Sequence, residues 1–336
     1  MKKRFLKILA IFIGSVIILI VILLAVGPYL VPVSPLEGLV SPQQAATSES
    51  KFITIPFTGT DGIDIHYMTE ASDNPDNSPT FLLLHGSLFN AYTWNEVLDY
   101  FGQRGKVIAY DQIPYGLSEK LLEGDWTDRN PYSSTAAVEQ LFIFLDALET
   151  DNVVLVGNSY GAVLAVQAAL AQPERVDALI LADAALYIEE EMPAWLFELP
   201  QMRRLGPLFA RQLGGSEDFI RQTYLNPDRL NEARMALTTI HTQVEDWDSA
   251  YWEYLKVWGL DPPEYKSRIS ELQQPALVIS GDSDVIVPVS DSQRLHADLP
   301  DSDLAILPSC GHVPQEECPE AFIDAVDRWL IKLKGK

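Results

Sequence analysis

Segments with the apolar spacing of strands alternate along the chain with segments that have the apolar spacing of helices, which predicts a layered structure. From residue 51, the short alternating segments KFITIPF and IDIHYMTE flank the turn-forming TGTDG, which indicates an antiparallel hairpin. Beyond it, continuous apolar runs such as TFLLLHG, KVIAYD and NVVLVGN take turns with longer helical patterns. Continuous apolar strands between helices are typical of a mostly parallel sheet that is covered on both faces. The predicted fold class is therefore α/β.

The longer patterns have the apolar spacing of helices. They are, in chain order, AYTWNEVLDYFGQ, SSTAAVEQLFIFLDALE, YGAVLAVQAALAQ, SDSQRLHADL and PEAFIDAVDRWLIKLK. Ser133 or Ser134 is a suitable N-cap for the second of these helices. Three further strands, VDALILADA, PALVISGD and DLAILPS, complete the predicted sheet.

One stretch, residues 186–265, breaks this rhythm. It contains helical, aromatic-rich sequence such as VEDWDSAYWEYLKVWGL, and it separates one sheet strand from the next. The predicted core therefore consists of residues 51–185 and 266–336. An insertion at this point is expected to lie over the carboxyl ends of the strands, where ligands bind in open α/β sheets.

The first 50 residues are expected to lie outside the folded core. Residues 1–7 are basic, residues 8–27 carry no charge, and residues 28–50 are rich in Pro, Ser, Ala and Gln. A helix of about 20 residues spans the roughly 30 Å hydrocarbon core of a bilayer. A cleaved signal peptide usually has a shorter apolar run and a small-residue cleavage site, for which AVGPYLVP is a poor match. We therefore expect a single-pass membrane anchor followed by a linker.

Charge sets the orientation of this anchor and limits the partners. The chain has a formal net charge of −23, and its first 27 residues contain four basic residues and no acidic ones. Basic flanks stay cytoplasmic, so the body is expected on the extracytoplasmic side of the cytoplasmic membrane. Its acidic surface would repel phosphates, which argues against nucleic acid as a partner. The expected partners are the membrane and a small-molecule substrate, and the sequence leaves the oligomeric state open.

The segment LVGNSYGAVLAV contains the first candidate for chemistry, Ser159. An apolar strand stops here, the chain turns sharply, and a helix begins. Gly157 and Gly161 remove side chains that would collide in so tight a turn. The arrangement is typical of a nucleophile elbow, G-x-S-x-G, which exposes a serine hydroxyl above the sheet.

A serine needs a base, and His312 is the histidine placed to supply it. It follows the last apolar strand in DLAILPSCGH, and parallel strands end at the same sheet edge. The acid that would orient it is Asp284, in VISGDSDVIVP, with Asp282 as a rival that more often serves its own turn. The other histidines favour loop or structural roles: His66, His85, His241 and His296.

An oxyanion hole and a substrate pocket would complete this site. Backbone N–H groups at Tyr160 and Ser87 are the expected oxyanion donors, with Leu88 as the alternative to Ser87. Leu88, Trp195 and Trp252 are the candidate substrate contacts. Aromatic side chains in the insertion serve equally well to pack it onto the core.

Five motifs together show that the chain resembles the α/β-hydrolase fold superfamily, in its serine-nucleophile esterase and lipase branch. They are HGS at 85–87, DQIPYGLS at 111–118, GNSYG at 157–161, GDSDVIVP at 281–288 and GHVPQEECPEAF at 311–322. The resemblance implies a Ser–Asp–His triad, no cofactor, no metal, and a helical cap at residues 186–265. In one place the chain departs from the family pattern D-x-x-G-x-G-x-S: Pro114 occupies the first glycine position.

The serine favours a membrane-anchored hydrolase of carboxylic esters that works through an acyl-enzyme. Relatives with an aspartate nucleophile, the haloalkane dehalogenases and epoxide hydrolases, are excluded. Three alternatives stay open: a carbon–carbon bond hydrolase of ring-cleavage products, a cofactor-free haloperoxidase-like enzyme and a non-catalytic ligand-binding protein. The first of these reactions, carbon–carbon bond hydrolysis, would use basic residues on the insertion, and four are available: Arg203, Arg204, Arg211 and Arg221.

The two cysteines, Cys310 and Cys318, bracket His312. A disulfide bond between them would close a nine-residue loop and limit the movement of the histidine. Two unrelated thiols are the alternative.

Overall fold

The computed structural model describes residues 2–70, 78–187, 194–197, 199–258 and 265–335. Eight strands form one sheet in the order β1-β2-β4-β3-β5-β6-β7-β8. They are β1 (Lys51–Ile55), β2 (Ile63–Glu70), β3 (Thr80–Leu84), β4 (Lys106–Tyr110), β5 (Val153–Asn158), β6 (Val176–Ala182), β7 (Ala276–Gly281) and β8 (Ser302–Leu307). The β1–β2 and β2–β4 pairs are antiparallel and the others are parallel. The predicted hairpin and the predicted α/β class are both confirmed.

Thirteen α-helices are present among the described residues. They are α1 (Lys2–Leu30), α2 (Pro42–Ala45), α3 (Asn95–Gly102), α4 (Ser134–Ala147), α5 (Tyr160–Ala171), α6 (Ala194–Phe197), α7 (Pro200–Gly214), α8 (Glu217–Gln222), α9 (Glu232–Thr238), α10 (Trp247–Trp258), α11 (Val289–Asp298), α12 (Pro314–Glu317) and α13 (Pro319–Lys334). Ser133 caps α4 by accepting a hydrogen bond from Ala136 N–H. The pattern from residue 91 starts as a 3₁₀ turn and becomes α-helical at Asn95.

Helices cover the sheet on both faces, as its apolar strands require. In β3, Leu82 and Leu84 belong to the core layer under α4, α5 and α11, whereas Phe81 and Leu83 belong to the layer under α3 and α13. Strand β5 is buried along its whole length. A strand with two buried faces has no polar alternation, which is why these segments are continuous apolar runs in the sequence.

The predicted insertion corresponds to helices α6–α10 between β6 and β7, which we call the insertion helices. The boundaries expected at residues 185/186 and 265/266 adjoin residues 188–193 and 259–264, which lie outside the described part of the chain.

Among the described residues, one helix is long and apolar enough to cross a membrane: its segment Arg4–Leu30 has a mean hydropathy of 3.3 and an unburied apolar stretch. It continues beyond residue 27, the predicted end of the apolar segment. Its C-terminal carbonyls contact α7, because Arg204 donates from Nε to the Pro28 carbonyl at 3.2 Å. The segment after α1 then returns to the body, where Val40 forms a bridge with Val244.

Candidate active site

The elbow at Ser159 has the geometry that its sequence predicts. Ser159 joins β5 to α5 with φ 54° and ψ −116°, a conformation that L-residues rarely adopt. A Cβ on Gly157 would lie 2.4 Å from the Gly161 carbonyl oxygen, and one on Gly161 would lie 2.0 Å from the Leu84 carbonyl oxygen. Both positions therefore require glycine. A strained backbone that its surroundings hold in place is typical of functional sites.

His312 and Asp284 meet as predicted. The imidazole Nδ1 lies 2.7 Å from Asp284 Oδ2, and both side chains are almost fully buried. Asp284 Oδ1 accepts hydrogen bonds from Ile286 N–H at 2.7 Å and Val287 N–H at 3.0 Å. The carboxylate is thus fixed by its own turn, and it fixes the imidazole with Nε2 directed away from it.

The backbone of His312 is held beside the elbow. Its carbonyl accepts a hydrogen bond from Asn158 Nδ2 at 3.0 Å, and its N–H donates to the Thr223 carbonyl at 2.8 Å. Ser159 and His312 are both described by the structure, yet no hydrogen bond joins the serine hydroxyl to Nε2. Such contacts are often long without substrate and tighten in the reacting complex.

Asp282 was predicted to bond within its own turn, and it also reaches the loop before His312. Its Oδ1 accepts hydrogen bonds from the side chain of Ser283 and from the backbone N–H groups of Ser309 and Cys310. It therefore fastens the loop that precedes His312 without contacting the imidazole.

Two backbone N–H groups near Ser159 are free. Within the described part of the chain, the amides of Tyr160 and Ser87 donate to no hydrogen-bond acceptor. Gly86 lies against the elbow, since a Cβ there would come within 3.0 Å of Ser159 Cβ. The Ser87 and Tyr160 amides thus lie in the segments next to the serine, and their role as oxyanion donors stays a prediction.

The candidate substrate contacts occupy different environments. Leu88 is buried with φ 67° in the loop after β3. Trp252 is buried in α10 and packs on Gly206 and Phe197. Trp195, in α6, is largely exposed. None of these placements tests a role in binding, so the three assignments stay predictions.

Sequence analysis missed a group of tyrosines above the elbow. The ring of Tyr254, on α10, lies 6.3 Å from Tyr160, 5.4 Å from Tyr115 and 6.0 Å from Tyr251, centre to centre. Burial raises the pKa of Tyr160 and Tyr254 well above its ordinary value, so both hydroxyls stay protonated. Nothing local in the sequence distinguishes Tyr254 from the other aromatic residues of its helix.

The loop that carries Pro114 keeps its shape through Asp111. The Asp111 carboxylate accepts hydrogen bonds from the backbone N–H groups of Ala91 and Leu117, both at 2.6 Å. Gly116 has φ 50°, and a Cβ there would collide with that carboxylate. The glycine that remains in the motif is thus the one that the loop requires.

Two adjacent glutamates behind His312 were also missed. Glu317 accepts hydrogen bonds from Gly311 N–H at 2.7 Å and Asn226 N–H at 2.6 Å, which joins the histidine loop to the insertion. Burial raises the pKa of Glu316, whose carboxyl group contacts the Tyr224 hydroxyl. The sequence signal for this pair was weak, because adjacent acidic residues such as those in GHVPQEEC are usually exposed on the surface of a helix, whereas here both are buried.

Cys310 and Cys318 form a disulfide bond. The bridge closes the nine-residue loop around His312, and loop closure of this size stabilises a fold by about 2–3 kcal/mol in the chain-entropy model. The loop of His312 is therefore held by covalent as well as hydrogen-bonded contacts.

Comparison with known proteins agrees with this architecture. A model of the alpha/beta hydrolase family matches residues 81–325. The 2-hydroxymuconate semialdehyde hydrolase of Pseudomonas putida is 30% identical over 289 residues, which cover 82% of this chain and 95% of that protein.

Two solved structures share the fold. A thermophilic esterase from Thermogutta terrifontis is 21% identical with a TM-score of 0.66, covering 84% of this chain and 98% of the esterase. A bacterial membrane phospholipase A is 21% identical with a TM-score of 0.67, covering 99% of this chain and all of that protein.

Proposed function

Because this chain belongs to the α/β hydrolase family, we propose that it is a serine hydrolase that cleaves carboxylic esters through an acyl-enzyme. One observation carries the proposal: Ser159 sits in a strained elbow between two free backbone amides, on the same sheet edge as the His312–Asp284 pair. An ester hydrolase needs a nucleophile with a base beside it and an oxyanion site near the reacting carbonyl.

The reaction begins with attack on the ester carbonyl. Ser159 Oγ forms the new carbon–oxygen bond while His312 Nε2 takes the hydroxyl proton. The carbonyl oxygen becomes an oxyanion, which the Tyr160 and Ser87 amides stabilise by hydrogen bonds. Asp284 holds Nδ1–H and offsets the positive charge that forms on the imidazole.

Collapse of this intermediate breaks the bond to the alcohol. His312 gives its proton to the leaving oxygen, and the acyl group remains on Ser159. Water then attacks the acyl-enzyme with His312 again as the base, which releases the acid and restores the serine. No cofactor or metal takes part in this scheme.

The substrate pocket is proposed to lie under the insertion helices, with residues 186–265 acting as a helical cap. Tyr254 approaches Tyr160 from α10, and His312 bonds to the Thr223 carbonyl of the insertion, which support this placement. Leu88, Trp195 and Trp252 remain the proposed substrate contacts. The apolar and aromatic surroundings favour an apolar acyl group.

The similarity to a ring-cleavage hydrolase supports one alternative, hydrolysis of a carbon–carbon bond beside a ketone. That reaction uses cations for the substrate carboxylates, and three of the candidate arginines have the following partners. Arg204 bonds to the end of α1, Arg211 to Asp248, and Arg221 to Glu217. These contacts favour the ester hydrolase.

Labelling and mutation at Ser159 test the proposal. A fluorophosphonate probe is expected to label the detergent-solubilised full chain, and Ser159→Ala to abolish labelling and lower kcat for p-nitrophenyl esters by about 10⁴- to 10⁶-fold. Alanine keeps the Cβ, so thermal unfolding should change little.

Turnover by Ser159→Ala at more than a few per cent of wild type would reject the nucleophile. A series of acyl lengths, including the long chains of phospholipids, then defines the substrate class, and a ring-cleavage dienoate tests the alternative.

We further propose that α1 anchors the protein in the cytoplasmic membrane with the body outside. The basic residues before its apolar segment support this orientation, as does the disulfide bond, because disulfides persist in oxidising compartments. Protease added to spheroplasts should digest the body without lysis. Protection of the body until the membrane is broken would reverse the orientation.

A further inference from the structure

A second buried aspartate, Asp183, lies beside the proposed triad and has no part in the scheme above. It follows β6, the strand between those that lead to Ser159 and Asp284. Its side chain is fully buried and its φ is 43°. The backbone is held there by a hydrogen bond from Asp183 N–H to the Ile279 carbonyl at 2.9 Å.

The two oxygens of the Asp183 carboxyl group differ. Oδ1 accepts hydrogen bonds from Gly281 N–H at 3.0 Å and from the Ser280 hydroxyl at 3.2 Å. Oδ2 is buried, and no donor in the described part of the chain reaches it. The carboxyl group of Asp284 is within hydrogen-bonding contact of Asp183.

Two carboxylates in contact and away from water cannot both keep a negative charge. Asp284 has three N–H donors, from Ile286, Val287 and His312. Asp183 has two donors, both on one oxygen. The charge is therefore stabilised better on Asp284, and burial together with that charge raises the pKa of Asp183 well above its ordinary value.

We propose that Asp183 is a positioning residue that keeps its proton at neutral pH and donates it from Oδ2 to the Asp284 carboxylate. This inference rests on the proposed function, because Asp284 is the group that orients His312. The hydrogen bond adds a further contact to the Asp284 carboxylate, so that its plane and its charge stay fixed while His312 accepts and returns a proton.

Asp284 is the charged group that acts on Asp183 from the neighbouring strand ends. Asp282, on the same loop, turns toward Ser309 and Cys310 instead. His312 lies beyond Asp284. Burial and the contact with this one carboxylate together favour the protonated form of Asp183.

Two variants at Asp183 distinguish the effect of the hydrogen-bond donor from the effect of the backbone conformation. Asp183→Asn keeps the shape, places an N–H₂ donor toward Asp284, and tolerates positive φ. Asp183→Gly accepts the backbone conformation without strain but removes the donor. Asp282→Asn is the matched control, on the loop of Asp284 but without contact to His312.

Infrared difference spectroscopy of the full chain in detergent at pH 7 gives a readout independent of turnover. We expect the carbonyl band of a protonated carboxylic acid to be lost in Asp183→Asn and kept in Asp282→Asn. The bands of other buried acids, such as Glu316, are the same in wild type and variant and cancel in the difference spectrum. Absence of this band change would overturn the protonation of Asp183.

Turnover of the preferred p-nitrophenyl ester tests the positioning role. Asp183→Asn is expected to keep kcat within about 3-fold of wild type, with the acid limb of the pH profile in place. Asp183→Gly is expected to lose about 10- to 100-fold in kcat. An unchanged kcat in Asp183→Gly, or a displaced acid limb in Asp183→Asn, would overturn the role.

Failure of the proposed function is distinguishable from failure of this inference. It would appear as turnover that survives Ser159→Ala, whereas the infrared readout concerns the resting protein and does not depend on Ser159.

Discussion

The described part of the chain contains two histidine–aspartate pairs with a serine nearby, and the two groups differ in their surroundings. In the first, His66 Nδ1 lies 2.7 Å from Asp111 Oδ2, and its Nε2 lies 2.9 Å from Ser50 Oγ. In the second, His312 Nδ1 lies at the same 2.7 Å from Asp284 Oδ2. The distance between acid and imidazole therefore does not distinguish them.

The surroundings of the two groups distinguish them. His66 and Asp111 are completely buried, and the Ser50 hydroxyl is also bonded to Tyr92 at 2.7 Å. Ser50 has no positive φ and precedes an edge strand, whereas Ser159 is held in the elbow beside two free amides. We infer that the first group fastens the segment after α1 to the sheet. A triad is thus recognised by its elbow and its oxyanion donors more than by its side chains.

The largest expected effect comes from changing the acid in each group. Asp284→Asn should lower kcat by about 10³- to 10⁴-fold, since the amide favours the wrong imidazole tautomer, with little change in thermal unfolding. Asp111→Asn should lower the free energy of unfolding by about 3 kcal/mol, because an amide N–H₂ would face buried donors, while the folded protein keeps its kcat.

Ester turnover and thermal unfolding measured on both variants check this comparison. Asp282→Asn, with kcat near wild type, is the control. If Asp282→Asn is the more damaging of the two loop variants, Asp282 is the orienting acid.

A pH titration of stability tests the burial of His241, a histidine of the insertion that takes no part in the proposed reaction. Burial lowers the pKa of His241 from 6.5 to about 4. Between these values the unfolded chain binds more protons, so the free energy of unfolding falls as the pH falls, by on the order of 3 kcal/mol. His241→Gln should flatten that dependence and leave the pH profile of kcat unchanged.

Denaturant unfolding between pH 7 and 4 gives this measurement. His296→Gln, at a partly exposed position of α11, is the control for replacing a histidine. Equal slopes for wild type and His241→Gln would assign the acid sensitivity to other groups.

The smallest effect is expected at Ser50. Ser50→Ala removes hydrogen bonds to His66 and Tyr92, which should lower the free energy of unfolding by about 1 kcal/mol. Fluorophosphonate labelling and ester turnover should stay at wild-type levels. Labelling that depends on Ser50 would mean that the first group is reactive as well.

The sequence predicts the parts of the fold that depend on local pattern. Buried strands are continuous apolar runs, Ser133 is a favourable cap, and the glycines around Ser159 require a tight turn. The contact between His312 and Asp284 follows because parallel strands end at one edge.

Contacts between distant segments carry no such pattern. Asp183 meets Gly281 across 98 residues and Glu317 meets Asn226 across 91, and Tyr254 resembles any packing aromatic. The Ser50–His66–Asp111 group went unnoticed for the same reason, although a histidine of β2 that is buried needs partners for both ring nitrogens.

The hydrogen bonds that join Glu317 and His312 to residues 223–226 limit how this protein can be re-engineered. Exchange of insertions between relatives is a natural way to transplant selectivity, and it treats the insertion as a detachable module. Here the segment Thr223–Asn226 is also part of the scaffold of the histidine loop. A chimera that grafts foreign helices should therefore retain this segment, with its seams placed on either side of it.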